Sequence, residues 1–320
     1  MRAVATIWLA SSLPSAVLAQ APSYITQWGS DGTADGQFRT PLGVEVNAAG
    51  DVFVADYGNN RIQKFTSSGD YLAQWGIYGD GAGQFKAPTC VAVDASGNFY
   101  VAEGSNHRIQ KFTSAGDYLT QWGSRGNGIG QFNYPRDIAV DSHGYLYVAD
   151  LLNQRIQVFT SAGDYVTQWG TGGSGNGQFQ NPHGLAVDAR GYVYVADFYN
   201  HRIQKFTNTG SYVTQWGAHG SGNGQFDGVS DVEVDAAGNV YAVDFGNRRI
   251  EVFTATGAYL AQWGTFGVGI GQFRSPHDLA VDASGNVYVV DFENNRVQKF
   301  GAVPTPARYT SWGRVKRLFR

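Results

Sequence analysis

Short runs of alternating apolar and polar residues recur along this chain, and each run is too short for a helix. Tyr192-Val-Tyr-Val-Ala-Asp197 is one such run, with a period of two. Gly184-Leu-Ala-Val-Asp188, Arg202-Ile-Gln-Lys-Phe206 and Ser211-Tyr-Val-Thr-Gln-Trp216 flank it. All four are rich in the β-branched and aromatic residues that favour a pleated, half-buried surface. Asp-x-x-Gly and Thr-x-x-Gly turn signals separate the first from the second and the third from the fourth. The pattern predicts four antiparallel strands, here called a, b, c and d, and contains no stretch of helical periodicity.

The set repeats. Trp28, Trp75, Trp122, Trp169, Trp216 and Trp263 lie 47 residues apart, each followed by Gly. Phe38, Phe85, Phe132, Phe179, Phe226 and Phe273 keep the same step, each preceded by Gln. Arg61, Arg108, Arg155, Arg202, Arg249 and Arg296 keep it too, so no insertion breaks the register. Four antiparallel strands every 40–50 residues make a propeller blade, which hides its faces against its neighbours. The expected fold class is therefore all-β, a six-bladed β-propeller of four-stranded antiparallel blades. The recurrent Trp and Phe supply the packing between blades.

The run from Gly177 to Phe206, G-Q-F-x-x-P-x-G-L-A-V-D-x-x-G-x-V-Y-V-A-D-x-x-N-H-R-I-Q-K-F, strongly resembles the NHL repeat. Asn200-His201-Arg202-Ile203 matches the family's namesake residues except that Ile replaces Leu. The resemblance extends over about residues 23–300, touches all six units, and implies a six-bladed propeller.

Six a-b-c sets are accompanied by seven d-like segments. The first is Tyr24 to Trp28 and the last is Tyr309 to Trp312, which follows Pro304 and Pro306 at an irregular spacing. The regular spacing favours the N-terminal segment as the strand that completes the sixth blade and ties the two ends together. Before it, Arg2 and the uncharged, mostly apolar stretch to Ala19 read as a signal peptide cleaved after Ala19. The expected organisation is a signal peptide over 1–19, a propeller over 20–300 and a basic tail over 301–320, which is a possible extra strand. The expected location is secreted, periplasmic or at the cell surface, with no transmembrane segment.

Composition sharpens this. The 43 glycines of the 320 residues are about twice the usual share of roughly 7%, without a Gly-X-Y period, so they mark turns. Of the 23 basic residues, Arg2 lies in the leader and five lie beyond residue 300, while all 26 acidic residues lie between, so the repeats carry a net charge of −9. That field repels nucleic acid, which leaves RNA binding, a property of some intracellular NHL proteins, as the weakest functional reading. Cys90 is the one cysteine. No intrachain disulfide is available, and its place in a strand reads as inert burial.

Candidate chemistry falls on the face made by the d–a and b–c loops. The column just before strand a holds Leu42, Thr89, Arg136, His183, Ser230 and His277. The next column holds Gly43, Cys90, Asp137, Gly184, Asp231 and Asp278. Strand a is innermost in a blade, so Arg136, Asp137, His183, Asp231, His277 and Asp278 are placed around the channel mouth. Pro182-His183 and Pro276-His277 resemble the metal-binding histidines of the peptidyl-α-hydroxyglycine amidating lyases, which are six-bladed propellers with zinc. That resemblance implies a zinc or calcium site on His183 and His277, with an Asp as a third ligand. Catalytic zinc wants three protein ligands and this column supplies two, so the main reading holds no cofactor. His107 and His201 share a column with Asn, Gln and Arg and read as surface polar positions, while His219 has no evident partner.

The acid that ends strand b and the Arg that opens strand c lie five residues apart in every unit. A carboxylate–guanidinium pair repeated six times reads as scaffold, since a catalytic group is needed once. The b–c loops depart from the repeat with Leu151-Leu152 and Phe198-Tyr199, an apolar crest suited to a protein or peptide contact. The favoured reading is a non-catalytic secreted or surface interaction scaffold that binds a protein, peptide or glycan. A metal-dependent lyase or hydrolase is the alternative.

Overall fold

The computed structural model describes residues 20–303. The segment read above as a signal peptide, most of the basic tail and the segment Tyr309 to Trp312 lie outside them. Within this range the chain is all-β, in six four-stranded antiparallel sheets. Blade 4 shows the plan: strand a is Pro182–Val187, b is Val193–Asp197, c is Arg202–Phe206 and d is Tyr212–Trp216. Blade 1 begins at Gly43, and blades 2, 3, 5 and 6 begin at Pro88, Pro135, Val229 and Pro276. Blade 6 takes strands a to c from Pro276–Val281, Val287–Asp291 and Arg296–Phe300. Its fourth strand is Tyr24–Trp28, which pairs antiparallel with Arg296–Phe300 in the register Gln27↔Gln298. The N-terminal strand thus closes the ring, as the repeat spacing predicts.

Burial follows radial position. Strand b is buried along its whole length in every blade, because neighbouring blades cover both its faces. Strand d lies outermost and alternates between half-buried and exposed residues in blades 1, 3 and 4. The core is divided accordingly into six apolar clusters, one between each pair of adjacent blades. At the closure, Trp28 lies 5.9 Å from the ring of Phe65 and 6.3 Å from that of Tyr288, so it touches both blade 1 and blade 6. The Gly after each Trp has a reason of its own. Gly29 has φ +102°, and a Cβ there would stand 2.6 Å from the Phe38 ring. The Trp-Gly pair is therefore one device, in which Trp packs and Gly turns under the next Phe.

Polar residues latch each blade to the loop that enters it. Asp197, fully buried, accepts from the Gln180 amide N–H at 2.7 Å, Asn200 Nδ2 at 2.9 Å, Arg202 Nε at 2.8 Å and Gln204 Nε2 at 3.1 Å. Arg202 in turn donates to the Ser174, Gly175 and Gln178 carbonyls and to Gln215 Oε1. Every charge is paired and every hydrogen bond made, which is what a buried ion pair requires. The same acid–Arg pair recurs in all six blades at 2.6–3.2 Å. In blade 6 the Gln215 role falls to Gln27, which takes a 2.9 Å bond from Arg296.

Blade 5 departs from the latch at one atom. Where the other blades place Gln, it has Glu251, fully buried. Gln204 Nε2 donates to the Gln178 carbonyl at 2.8 Å, but Glu251 Oε2 has no partner. Burial, with the charge of Asp244 added, pushes the Glu251 carboxyl up to about 7 against the Arg249 guanidinium. Its folded value stands above the ordinary 4.5, so folding is favoured while it holds its proton and loses stability as pH rises from 4.5 to about 7. Glu251→Gln is expected to change little at pH 4–5 and to stabilise by about 2–3 kcal/mol at pH 8. Urea unfolding of both proteins at the two pH values checks this.

Candidate functional site

The six mouth candidates converge. Arg136, Asp137, His183, Asp231, His277 and Asp278 line a single constriction where the inner strands begin. Their carboxylates reach sideways. Asp137 Oδ2 accepts from the Leu185 amide at 2.6 Å, Asp231 Oδ2 from Leu279 at 2.9 Å and Asp278 Oδ2 from Val44 at 2.9 Å. Each bond joins one blade's strand a to that of the next blade. Gly184 makes room for this, since a Cβ there would overlap the Asp231 carboxylate. Burial raises all three carboxyls. Asp278 reaches about 6, and Asp231 is pushed well above the carboxylate range by burial and then by the charge of Asp278.

Arg136 plugs the mouth. Its guanidinium donates to the Thr89 carbonyl at 3.3 Å and lies 3.2 Å from His277 Nδ1, so one side chain spans blades 2, 3 and 6. His277 sits between Phe245 at 4.9 Å and Phe292 at 5.1 Å. His183 stacks on Phe198 at 4.4 Å and 19°. Burial and the charge of Arg136 hold His277 down at about 3 and His183 well below the usual imidazole range. Two neutral imidazoles this weakly basic are poor proton acceptors at pH 7.

The pair does not suit a metal. Arg136 already occupies His277 Nδ1 and brings a positive charge to the place a cation would take. Among the described residues, His183 and His277 join no carboxylate in a three-ligand group. The group that does form is His201, His219 and Asp227, on the rim between blades 4 and 5. There His201 Nδ1 accepts the Gly228 amide proton at 2.9 Å, which leaves its proton on Nε2. That bond explains the column. Asn60, His107, Gln154, His201 and Asn295 each accept from a backbone N–H of the next blade's entry loop.

Around the plug stands a collar. The first residue of each b–c loop is Tyr57, Gly104, Leu151, Phe198, Phe245 or Phe292. Tyr134 reaches across Gly104 to place its hydroxyl 3.3 Å from that of Tyr57. The crest pairs divide as their positions dictate. Leu151 is buried and Phe198 half-buried on His183, while Leu152 is 50% and Tyr199 58% exposed. Below the plug, a cavity of about 120 Å³ is lined by Glu45, Glu233 and aliphatic side chains. Burial drives Glu233 up to about 8, so it holds its proton at neutral pH, and burial with the charge of Glu233 raises Glu45 well above its usual range. These two acids were not among the sequence candidates, although Ala fills their column in the other four blades. Cys90 is buried, its thiol 3.9 Å from the Ile138 carbonyl and pushed well up by burial.

The solved structures that resemble this chain share its fold. A Bacteroides thetaiotaomicron protein of unknown function superposes with a TM-score of 0.68 at 18% identity, over 86% of this chain and 76% of that one. Virginiamycin B lyase from Staphylococcus aureus superposes with a TM-score of 0.57 at 14% identity, over 82% and 95%. A streptogramin B lyase gives 0.58 at 14% identity, over 86% and 96%. No curated protein sequence matches the chain. The NHL repeat model matches residues 38–65, 85–112, 132–159, 179–206 and 273–300. The unmatched unit is blade 5, which carries Val229 in place of Pro, Arg248 in place of Asn, Gln or His, and Glu251 in place of Gln, yet keeps the same four strands. Five matched repeats and six blades of one plan place this chain in the NHL-repeat family.

Proposed function

We propose that the protein is an interaction scaffold acting outside the cytoplasm, which holds a protein, peptide or glycan on its collar face. The collar carries this reading. Five of six first b–c positions are large and apolar or aromatic, and they ring a plugged channel with Leu152 and Tyr199 exposed beside them. Aromatic anchors around a central polar group are what binding surfaces concentrate. The acid–Arg pairs support it from the other side, because their hydrogen bonds are fully used in holding blades together.

A metal-dependent lyase or hydrolase is the second reading, favoured by one atom. His183 Nδ1 is buried at the mouth without a partner. Two of the structural neighbours are lyases, and an inactive form of one was solved with quinupristin. The position of Arg136 counts against this reading. Metal analysis of the purified protein, with quinupristin offered as substrate, divides the two. The scaffold reading expects no stoichiometric zinc or calcium and no turnover. Bound metal and turnover that both disappear in His183→Ala overturn it.

A further inference from the structure

The six blades offer a way to find a binding site by asking where the repeat fails. A notch lies on the rim wherever a d–a loop passes the start of the preceding strand c. Its inner wall is the column Asn60, His107, Gln154, His201, Arg248 and Asn295. The loop residue that faces it bridges in parallel to the conserved Phe, and the column reads Tyr78, Arg125, Gly172, His219, Phe266 and, at the closure, Asp31. Side chains meet across two of these notches, and in a third one charge acts on the facing ring. Arg125 acts on His107, the His219 ring lies 4.6 Å from that of His201, and Arg248 lies 5.7 Å from the Phe266 ring. Only the notch between blades 3 and 4 has glycine in that place, Gly172, and there a cavity of about 520 Å³ opens.

That volume falls within the roughly 300–1,000 Å³ of small-ligand sites. Its lining is Gln154, Gln180, Asn181, Tyr199, the Gly172-Gly173 backbone and the edge of Phe179, with no charged group. Tyr199 is the one aromatic residue in its b–c column, where the other blades have Gly58, Ser105, Leu152, Gly246 and Glu293. Gln154 and Asn181 hold each other, through bonds of 2.6 Å from the Asn181 N–H and 3.0 Å to Asn181 Oδ1. Asn181 Nδ2 and the whole Gln180 side-chain amide make no hydrogen bond to another described residue. The notch thus offers an exposed aromatic face, one fixed amide and one free amide.

We propose that this notch binds a neutral saccharide unit of a glycan. A sugar ring presents an apolar C–H face to stack on Tyr199. Its adjacent hydroxyls each donate and accept, and a primary amide offers a donor and an acceptor side by side. The absence of charge from the lining favours an uncharged sugar over a uronic or sialic acid. The proposal rests on the collar-face reading and narrows it to one ligand class at one place.

The test uses the full protein against an array of neutral and acidic oligosaccharides and proline-rich peptides, followed by titration. Gly172→Phe copies Phe266 into the notch. Its backbone is not left-handed, and the nearest atom to a Cβ there is Gln154 Cγ at 3.7 Å, so the fold accepts it. The expected result is binding of a neutral oligosaccharide with Kd of ~10 µM to 1 mM, weakened at least ~10-fold by Gly172→Phe and by Tyr199→Ala. Tyr145→Ala, in the exposed a–b turn of the opposite face, is expected to leave it within about twofold. No neutral saccharide bound at ~10 mM, or binding indifferent to Gly172→Phe, overturns the proposal. Peptide binding that Gly172→Phe abolishes also overturns it, in favour of a peptide groove. Peptide binding that survives Gly172→Phe and needs Leu152 removes the saccharide proposal and leaves the collar reading standing.

Discussion

Removing residues 20–28 is expected to open the ring and to cost the protein its cooperative unfolding transition. The deletion takes away strand d of blade 6 and the Gln27 acceptor of Arg296, which is left with a buried unpaired N–H. It also takes Trp28 from between Phe65 and Tyr288. Truncating a packed aromatic costs about 3–5 kcal/mol, and an orphaned buried donor about 1–3. The sum is comparable to the roughly 5–15 kcal/mol that holds a domain together. Calorimetry is expected to show a midpoint lower by more than ~10 °C, or no transition. A synthetic peptide of residues 20–30 is expected to restore part of it. A truncated protein that melts within a few degrees of the intact one means that another segment closes the ring.

The second large effect lies in the latch. Asp197→Ala leaves Arg202 without its carboxylate and strands the donors of Gln180, Asn200 and Gln204. The expected loss is about 3–5 kcal/mol, since a buried charge is left uncompensated. Asp197→Ala combined with Arg202→Met is expected to cost less than the two separate losses added together, because the uncompensated charge goes with its partner. Denaturant unfolding of the cycle measures this. The equivalent Asp56→Ala is expected to cost about as much, because Arg39, Asn59, Arg61 and Gln63 surround Asp56 in the same way. A loss under ~1 kcal/mol at both positions contradicts the latch.

Repetition explains what a reader of the sequence can and cannot see. The blade, the Trp–Phe packing and the acid–Arg pair each occur six times at a fixed step, so periodicity alone exposes them. The five-residue spacing of Asp197 and Arg202 already places them across a short loop. The candidate site depends on contacts between units, and those follow the ring rather than the chain. Arg136 reaches His277 over a separation of 141 residues. Tyr134 crosses Gly104 to meet Tyr57, 77 residues earlier. Gly172 is unremarkable among 43 glycines until its column is aligned and the other five blades are seen to carry a side chain in that place. The crest shows the same limit, because alternation marks Leu151-Leu152 and Phe198-Tyr199 as apolar but does not say that Leu151 is buried and Tyr199 exposed.

The measurement that bears most directly on the account is a hydrogen-exchange footprint of the protein with and without a ligand selected from glycan and peptide libraries. The account expects protection in the b–c and d–a loops around Leu152, Phe198 and Tyr199. It expects none in the a–b turns of the opposite face, where His143 and Tyr145 stand exposed. Protection confined to those a–b turns, or ligand binding unaffected by Leu152→Asp and Tyr199→Ala together, would contradict the collar face as the binding surface.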